Sequence, residues 1–213
     1  MRIVCSGRIR PIVLARFAMC FSVVWLLSAT SLFAQLSLMR IEEDWELELI
    51  QPDSRLDAPQ ALVVFSPHGD SGDGHFEVDI NHASLPAYSS GGLQIRAMQG
   101  STCIDQKRLL GGERLAVESD VIRWTQIVEQ QPGGYAFGII GGTSSSWGPF
   151  GDTTTYVTLP SVQTDFAYSP ENSLSRSGVT YAGNRVKRLT LCKIRYIDAL
   201  GNTTEIPVDQ SIQ

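Results

Sequence analysis

Apolar and polar side chains alternate along most of the chain after residue 42. Trp45, Leu47 and Leu49 occupy every second position, and Glu46 and Glu48 between them are predicted to face water. Successive side chains of a strand point to opposite faces of a sheet, so a period of two predicts half-buried β-strands. Further runs with this period place apolar residues at 76, 78 and 80; 93, 95 and 97; 122, 124 and 128; 135, 137 and 139; and 157 and 159, while 61–65 is continuously apolar.

The last long run changes parity within a single strand. Apolar positions up to Leu191 fall on one parity, and those from Cys192 onward fall on the other. This change predicts a β-bulge near Leu191 or burial on both faces. Gly201 and Asn202 then predict a hairpin turn that leads into a final strand over 203–208.

Turn-forming residues separate these runs into about nine short strands. Segments rich in Gly, Pro, Ser and Asp interrupt the pattern at 66–74, 83–92, 143–152 and 169–178. No segment shows a sustained helical period, and no interior linker divides the chain. The pattern therefore predicts an all-β fold, a single antiparallel β-sandwich or jelly-roll-like domain.

The first 34 residues have the order of a secretory signal peptide. Four arginines precede a short apolar core at 17–27, and small residues follow up to Ala34. The apolar core is too short for a membrane span, although an uncleaved N-terminal anchor is the alternative. We therefore predict a signal peptide over 1–34 and a secreted, periplasmic or cell-envelope domain over 35–213 that contains no membrane span.

Export changes the charge of the domain. Four of the 17 basic residues and none of the 22 acidic residues precede residue 35, so 35–213 carries 13 basic and 22 acidic side chains, a formal net charge of −9. A domain this acidic is repelled by phosphate backbones, which argues against nucleic acid as a partner.

Two cysteines, Cys103 and Cys192, remain after the signal peptide. In an oxidising compartment such a pair favours a disulfide bond. The alternative is two separate thiols that pack as small apolar groups.

The histidines of the chain fall in one acidic stretch, 68–82. A strand over 75–80 places His75, Glu77 and Asp79 on its outward face, where they could ligate a metal ion. The preceding loop lacks the residue order of a calcium loop, and charged residues are usual on a solvated strand face. The sequence therefore predicts no metal site and no cofactor.

The segment from Glu77 through Asp79 to His82 resembles the Glu-x-Asp-x-x-Glu strand of laminarinase-like glycoside hydrolases, which are secreted jelly rolls. The resemblance implies a nucleophile at Glu77 and a general acid at the last position, but this chain has His82 there. Retaining glycosidases need a second carboxyl group as proton donor. Nucleophile-elbow and phosphate-loop motifs are absent, so no catalytic residue is assigned and the prediction leans against an enzyme.

The loop 143–152 places two large aromatic residues among Gly, Ser and Pro. Trp147 and Phe150, together with Tyr88 in another loop, are the predicted ligand contacts, because exposed aromatic rings stack on sugars or anchor partners. The other interpretation, which the usual burial of large aromatic residues favours, is a loop folded back so that Trp147 and Phe150 close one end of the sandwich.

Several segments resemble uncharacterised short exported proteins of marine planctomycete-type bacteria. These segments are 43–47, 58–60, 91–94, 145–151 and 177–186. The resemblance implies an exported, β-rich protein and transfers no catalytic residue.

Together these features predict an exported, non-catalytic binding module for a carbohydrate or an envelope protein. The alternatives are a glycoside hydrolase-like enzyme with Glu77 and Asp79 at its site, or a structural envelope or matrix component.

Overall fold

The computed structural model describes residues 38–50, 61–69, 74–81, 92–111, 117–163, 165–179 and 186–212. These residues belong to one compact unit, Ser37–Gln213. They form eleven strands and one short helix. The strands are β1 (Leu38–Leu49), β2 (Ala61–Phe65), β3 (Gly74–Asn81), β4 (Gly92–Gln99), β5 (Thr102–Gly111), β6 (Val121–Gln131), β7 (Gly134–Ser144), β8 (Gly148–Phe150), β9 (Tyr156–Pro160), β10 (Val186–Asp198) and β11 (Thr203–Ser211), and the helix is α1 (Pro170–Arg176).

Two antiparallel sheets form the domain. The first has the order β11-β10-β1-β6-β7, and both β8 and β9 pair with the outer edge of β7; the second has the order β2-β3-β4-β5. Phe76 of the second sheet stacks on Phe137 of the first with ring centroids 4.9 Å apart. The predicted antiparallel β-sandwich is therefore confirmed.

The period of two identifies the inward face of each strand. On β1, Ile41, Trp45, Leu47 and Leu49 are buried in the core shared by both sheets, and the residues between them lie on the outer face. Glu43 is also on the inward face and is completely buried. The position of Glu43 in the strand, and not its polarity, therefore determines that this side chain lies in the core.

The predicted bulge and hairpin are both confirmed. The pairing of β1 with β10 shifts register between the pairs Asp44–Lys193 and Trp45–Leu191, so Cys192 is the extra residue. β10 and β11 are joined by a turn at 199–202, in which Gly201 has φ +80°.

Three elements differ from the sequence prediction. β8 is a strand of three residues within 143–152, a segment interpreted as a break between strands. β5 was not predicted because most of its side chains are exposed on both faces of an edge strand, which removes the alternation. α1 lies in a segment interpreted as a break between strands. Pro170 at its start and Glu171 in its first turn suit a helix N-terminus, but seven residues are too few to show a helical period.

The disulfide prediction is wrong, because Cys103 and Cys192 are free thiols. Cys103 lies on the outer face of the second sheet, where it interacts electrostatically with Arg96 and Glu77. Cys192 lies on the outer face of the first sheet, where it interacts electrostatically with Glu46. Sulfur atoms on opposite outer faces of a sandwich cannot approach within bonding distance.

Among the described residues, no helix has the length and apolar character that crossing a bilayer requires.

Candidate functional site

The predicted aromatic contacts of the 143–152 loop lie against the domain. Phe150 is buried, with 7% of its surface exposed, and Trp147 is half-buried and packs edge-on against Phe150 with ring centroids 5.8 Å apart. The indole N–H of Trp147 is buried and has no acceptor among the described residues. This is the folded-back arrangement that the sequence analysis gave as the alternative. Tyr88 lies outside the described residues.

A buried carboxylate holds that loop in place. Asp120 accepts hydrogen bonds from the hydroxyl of Ser144 (2.6 Å) and from the backbone N–H groups of Ser145 (2.7 Å) and Ser146 (2.9 Å). Burial raises the pKa of Asp120, but the hydrogen bonds from Ser144 and Ser146 outweigh that effect and lower it. The loop is therefore fixed by an ionised carboxylate.

The acidic strand β3 carries a buried ion-pair cluster on its outer face. His75, Glu77 and Asp79 share the face opposite the core, as predicted, but they are buried rather than solvated. Arg96 on β4 binds both carboxylates, with its Nη2 2.6 Å from Glu77 and its Nε 2.6 Å from Asp79. Gln94 also donates a hydrogen bond to Asp79. Their partners on the neighbouring strand thus explain why charged side chains tolerate burial here.

The two carboxyl groups of this cluster titrate differently. Burial raises the pKa of Asp79 to about 6, despite the charge of Arg96. For Glu77, the effect of burial is also to raise the pKa. The hydrogen bond from His75 and the charge of Arg96 have the opposite and larger effect, so the pKa of Glu77 is below its usual value. Such a pair has the pKa order of an acid and a base. However, Arg96 occupies both carboxylates, and His82, the last position of the hydrolase-like strand, lies outside the described residues.

No group of three or more metal-ligating side chains is found in the described part of the chain. His75, Glu77 and Asp79 are paired with one another or with Arg96 and Gln94 instead.

An open cleft of about 570 Å³, here called the end cleft, lies at one end of the sandwich. The end of β9, the start of β3, the end of β4 and the turn between β6 and β7 meet there. Its lining combines apolar surface with neutral polar groups and no Asp, Glu, Lys or Arg among the described residues. The lining residues are His68, Gly74, Gln99, Gly133, Leu159, Pro160, Ser161, Val162 and Gln163.

His68 reaches the end cleft from a tight turn that follows β2. The N–H of Gly69 donates to the carbonyl of Ser66 (3.3 Å), and Gly69 adopts φ +59°, where glycine is favoured. The N–H of Ala167 donates to the carbonyl of Pro67 (2.9 Å), which attaches the segment after β9 to this turn. His68 is therefore held from both sides.

The imidazole of His68 contacts a hydroxyl, a carbonyl and an aromatic ring. Its Nε2 lies 3.1 Å from the Oγ of Ser161, and the ring also hydrogen-bonds the backbone of Asp165. The ring packs edge-on against Tyr135, with ring centroids 5.1 Å apart. Burial lowers the pKa of His68 below 6.5, which outweighs the effect of Asp165, so the imidazole is neutral at pH 7.

Ser161 is positioned by backbone hydrogen bonds at the exit of β9. Its N–H donates to the carbonyl of Gly133 (3.0 Å), and its Oγ accepts the N–H of Gln163 (3.1 Å). Sequence reasoning noted His68 only as part of the histidine-rich stretch, and it did not single out Ser161. The two are 93 residues apart and no motif connects them, so only the meeting of two strand ends reveals the pair.

No family model, no curated protein and no solved structure matches the chain.

Proposed function

We propose that the protein is an exported binding domain that holds a neutral carbohydrate in the end cleft. One observation carries the proposal: the described lining offers hydroxyl, carboxamide and imidazole groups beside apolar surface, without a charged side chain. Export rests on the signal-peptide prediction for 1–34, which lies outside the described residues.

The size and polarity of the end cleft support this ligand class. Its volume of about 570 Å³ lies within the range of small-molecule sites, which combine apolar surface with a few polar groups. A sugar ring presents hydroxyl groups at its edge and C–H groups on its faces. Gln99, Gln163 and Ser161 match the hydroxyl groups, and Leu159 and Pro160 match the C–H faces.

A charged ligand fits the same cleft less well. Burying a phosphate or carboxylate without an opposite charge is costly, and His68 is neutral at pH 7. The folded-back positions of Trp147 and Phe150 direct the proposal to the end cleft instead of the 143–152 loop.

A glycan array followed by titration calorimetry on the purified protein tests the proposal. We expect Gln99→Ala and Gln163→Ala to weaken binding of the best glycan by about 10-fold each, because each removes hydrogen bonds to the ligand. Gln106→Ala, an exposed glutamine of β5 outside the cleft, is the matched control and should bind like wild type.

Two results would overturn the proposal. Loss of binding in Trp147→Ala with full binding in both cleft variants would place the site in the 143–152 loop. Absence of glycan binding by the wild-type protein would favour a protein partner or a structural envelope role.

A further inference from the structure

The hydrogen bonds around His68 determine which of its nitrogen atoms carries the proton. The backbone carbonyl of Asp165 only accepts hydrogen bonds, so the ring nitrogen that faces it must carry a proton. Nε2 is the atom that contacts Ser161, which leaves Nδ1 for the carbonyl. In the neutral ring, Nε2 then presents a lone pair to Ser161.

The hydroxyl of Ser161 is oriented to match. Its Oγ already accepts the N–H of Gln163, so the hydroxyl proton is free to point at Nε2, 3.1 Å away. A serine that donates to a neutral imidazole, whose other nitrogen is held by an acceptor, is the arrangement that activates a nucleophile.

The pair is also accessible from the end cleft. Ser161 and His68 both line it, and 5% of the surface of His68 is exposed. The side chains of Gln99 and Gln163 line the same cleft, and a carboxamide N–H is a group that can stabilise the oxyanion formed when a carbonyl is attacked.

We propose that Ser161 and His68 form a nucleophile–base pair that hydrolyses a carboxylic ester on the carbohydrate held in the end cleft. This inference rests on the proposed function and adds a reaction to it. An O-acyl group on a sugar hydroxyl is neutral, as the described lining requires.

The reaction consumes one water molecule and uses no other reagent. Oγ of Ser161 bonds to the ester carbonyl carbon while its proton passes to Nε2 of His68. The bond from that carbon to the sugar oxygen then breaks, and Nε2 returns the proton to that oxygen, which frees the sugar hydroxyl. Water attacks the acyl-serine and gives a proton to Nε2; release of the carboxylic acid returns that proton to Oγ.

The partner of His68 favours an ester over an amide. A backbone carbonyl orients the imidazole but carries no full negative charge to stabilise the imidazolium that forms. An alkoxide is a better leaving group than an amine anion. An imidazole without a carboxylate partner is therefore a sufficient base for the hydrolysis of an ester.

Two measurements on the purified protein test the inference. The first is the release of acetate from an acetylated glycan, and the second is mass spectrometry after labelling with a fluorophosphonate. We expect the label on Ser161, and we expect Ser161→Ala and His68→Gln each to lower acetate release by at least about 100-fold. Ser175→Ala, an exposed serine of α1 outside the end cleft, should leave the rate unchanged.

Binding measurements separate the two proposals. Ser161→Ala should weaken glycan binding by no more than about 10-fold, as the loss of one hydrogen bond predicts, while acetate release falls by at least about 100-fold. Thermal melts report whether each variant is folded. Glycan binding by wild type without acetate release would overturn the inference and leave the proposed function standing. Acetate release that persists in both Ser161→Ala and Ser161→Gly would also overturn it. Absence of both glycan binding and acetate release in wild type would overturn the proposed function and, with it, the inference.

Discussion

The indole Nε1–H of Trp45 donates a hydrogen bond to the Oε2 of Glu43, 2.8 Å away on the same inward face of β1. Gln126 of β6 donates to the same oxygen, and the hydroxyl of Tyr168 donates to the other. A completely buried carboxyl group therefore connects β1, β6 and the segment before α1 inside the sandwich. The three hydrogen-bond donors stabilise the buried carboxyl group, and removal of the carboxyl group leaves these donors without an acceptor.

Replacement of Glu43 should change both the stability and its pH dependence. Glu43→Ala leaves the buried donors of Trp45 and Gln126 and the partly buried hydroxyl of Tyr168 without their acceptor, so we expect a loss of about 3–5 kcal/mol in the free energy of unfolding. Burial raises the pKa of Glu43 above 4.5 despite the hydrogen bond from Tyr168. The folded state thus binds the proton more tightly than the unfolded state, and this contribution to stability is full below pH 4.5 and is lost as pH rises through the folded-state pKa.

Urea unfolding of wild type and Glu43→Gln from pH 4 to pH 8 measures this effect. The variant should lack the decline in stability that Glu43 causes in wild type. Glu205→Gln, at an exposed position of β11, is the control and should keep the wild-type profile. Identical profiles for wild type and Glu43→Gln would contradict the assignment.

Removal of Arg96 should destabilise the protein strongly. Arg96→Met leaves Glu77 and Asp79 buried without their shared cation, which costs about 3–5 kcal/mol at pH 7. The loss should be smaller at pH 5, because the pKa of Asp79 is already about 6 and its carboxyl group takes up a proton below that value. Chemical denaturation at both pH values measures the difference.

An exposed arginine provides the comparison for Arg96. Arg188→Met removes a cation whose side chain is 48% exposed and which pairs with Glu46 and Glu48 on the outer face of the first sheet. We expect little change in its urea midpoint, because exposed ion pairs contribute little. Equal losses in the two variants would mean that the β3 cluster is solvated.

Loss of the Asp120 carboxylate should release the 143–152 loop. Asp120→Ala removes the acceptor for Ser144, Ser145 and Ser146, and we expect a cost of about 2–4 kcal/mol. Acrylamide should then quench the fluorescence of Trp147 more efficiently. Asp152→Ala removes a carboxylate from the same loop that accepts hydrogen bonds from Thr154 and Thr155, and it should leave the quenching of Trp147 unchanged.

A methyl group at Gly142 should disturb the packing of Phe150. A Cβ at this position would lie 2.3 Å from the Cε2 of Phe150, so Gly142→Ala should lower the free energy of unfolding by about 1–3 kcal/mol. At Gly178 a Cβ would meet no atom within 4 Å, so Gly178→Ala should change the free energy of unfolding by less than about 1 kcal/mol. Thermal melts of both variants make the comparison, and equal melting temperatures would argue against close packing at Phe150.

The alternation of side chains determined the sandwich because burial on one face of a strand is a local property. Phe76, Val78 and Ile80 point to the core as their spacing predicts, and the parity change after Leu191 marks the bulge at Cys192. β5 is exposed on both faces, so its sequence shows no alternation of apolar and polar residues and does not predict a strand.

Pairing between distant residues was decided only by the tertiary structure. The burial of Glu77 and Asp79 depends on Arg96 of the neighbouring strand, and the free state of Cys103 and Cys192 depends on which sheet face each occupies. Local pattern carries no information on either point.

The sequence by itself determined the strand faces, the bulge, the last hairpin and the acidity of the domain, because each depends on residues that are near neighbours or on a simple sum of charges. The tertiary structure alone decided that Trp147 and Phe150 fold back and that Ser161 meets His68 at the end cleft. Contacts of that kind join residues far apart in the chain, and they arise from how the two sheets pack and where their strands end.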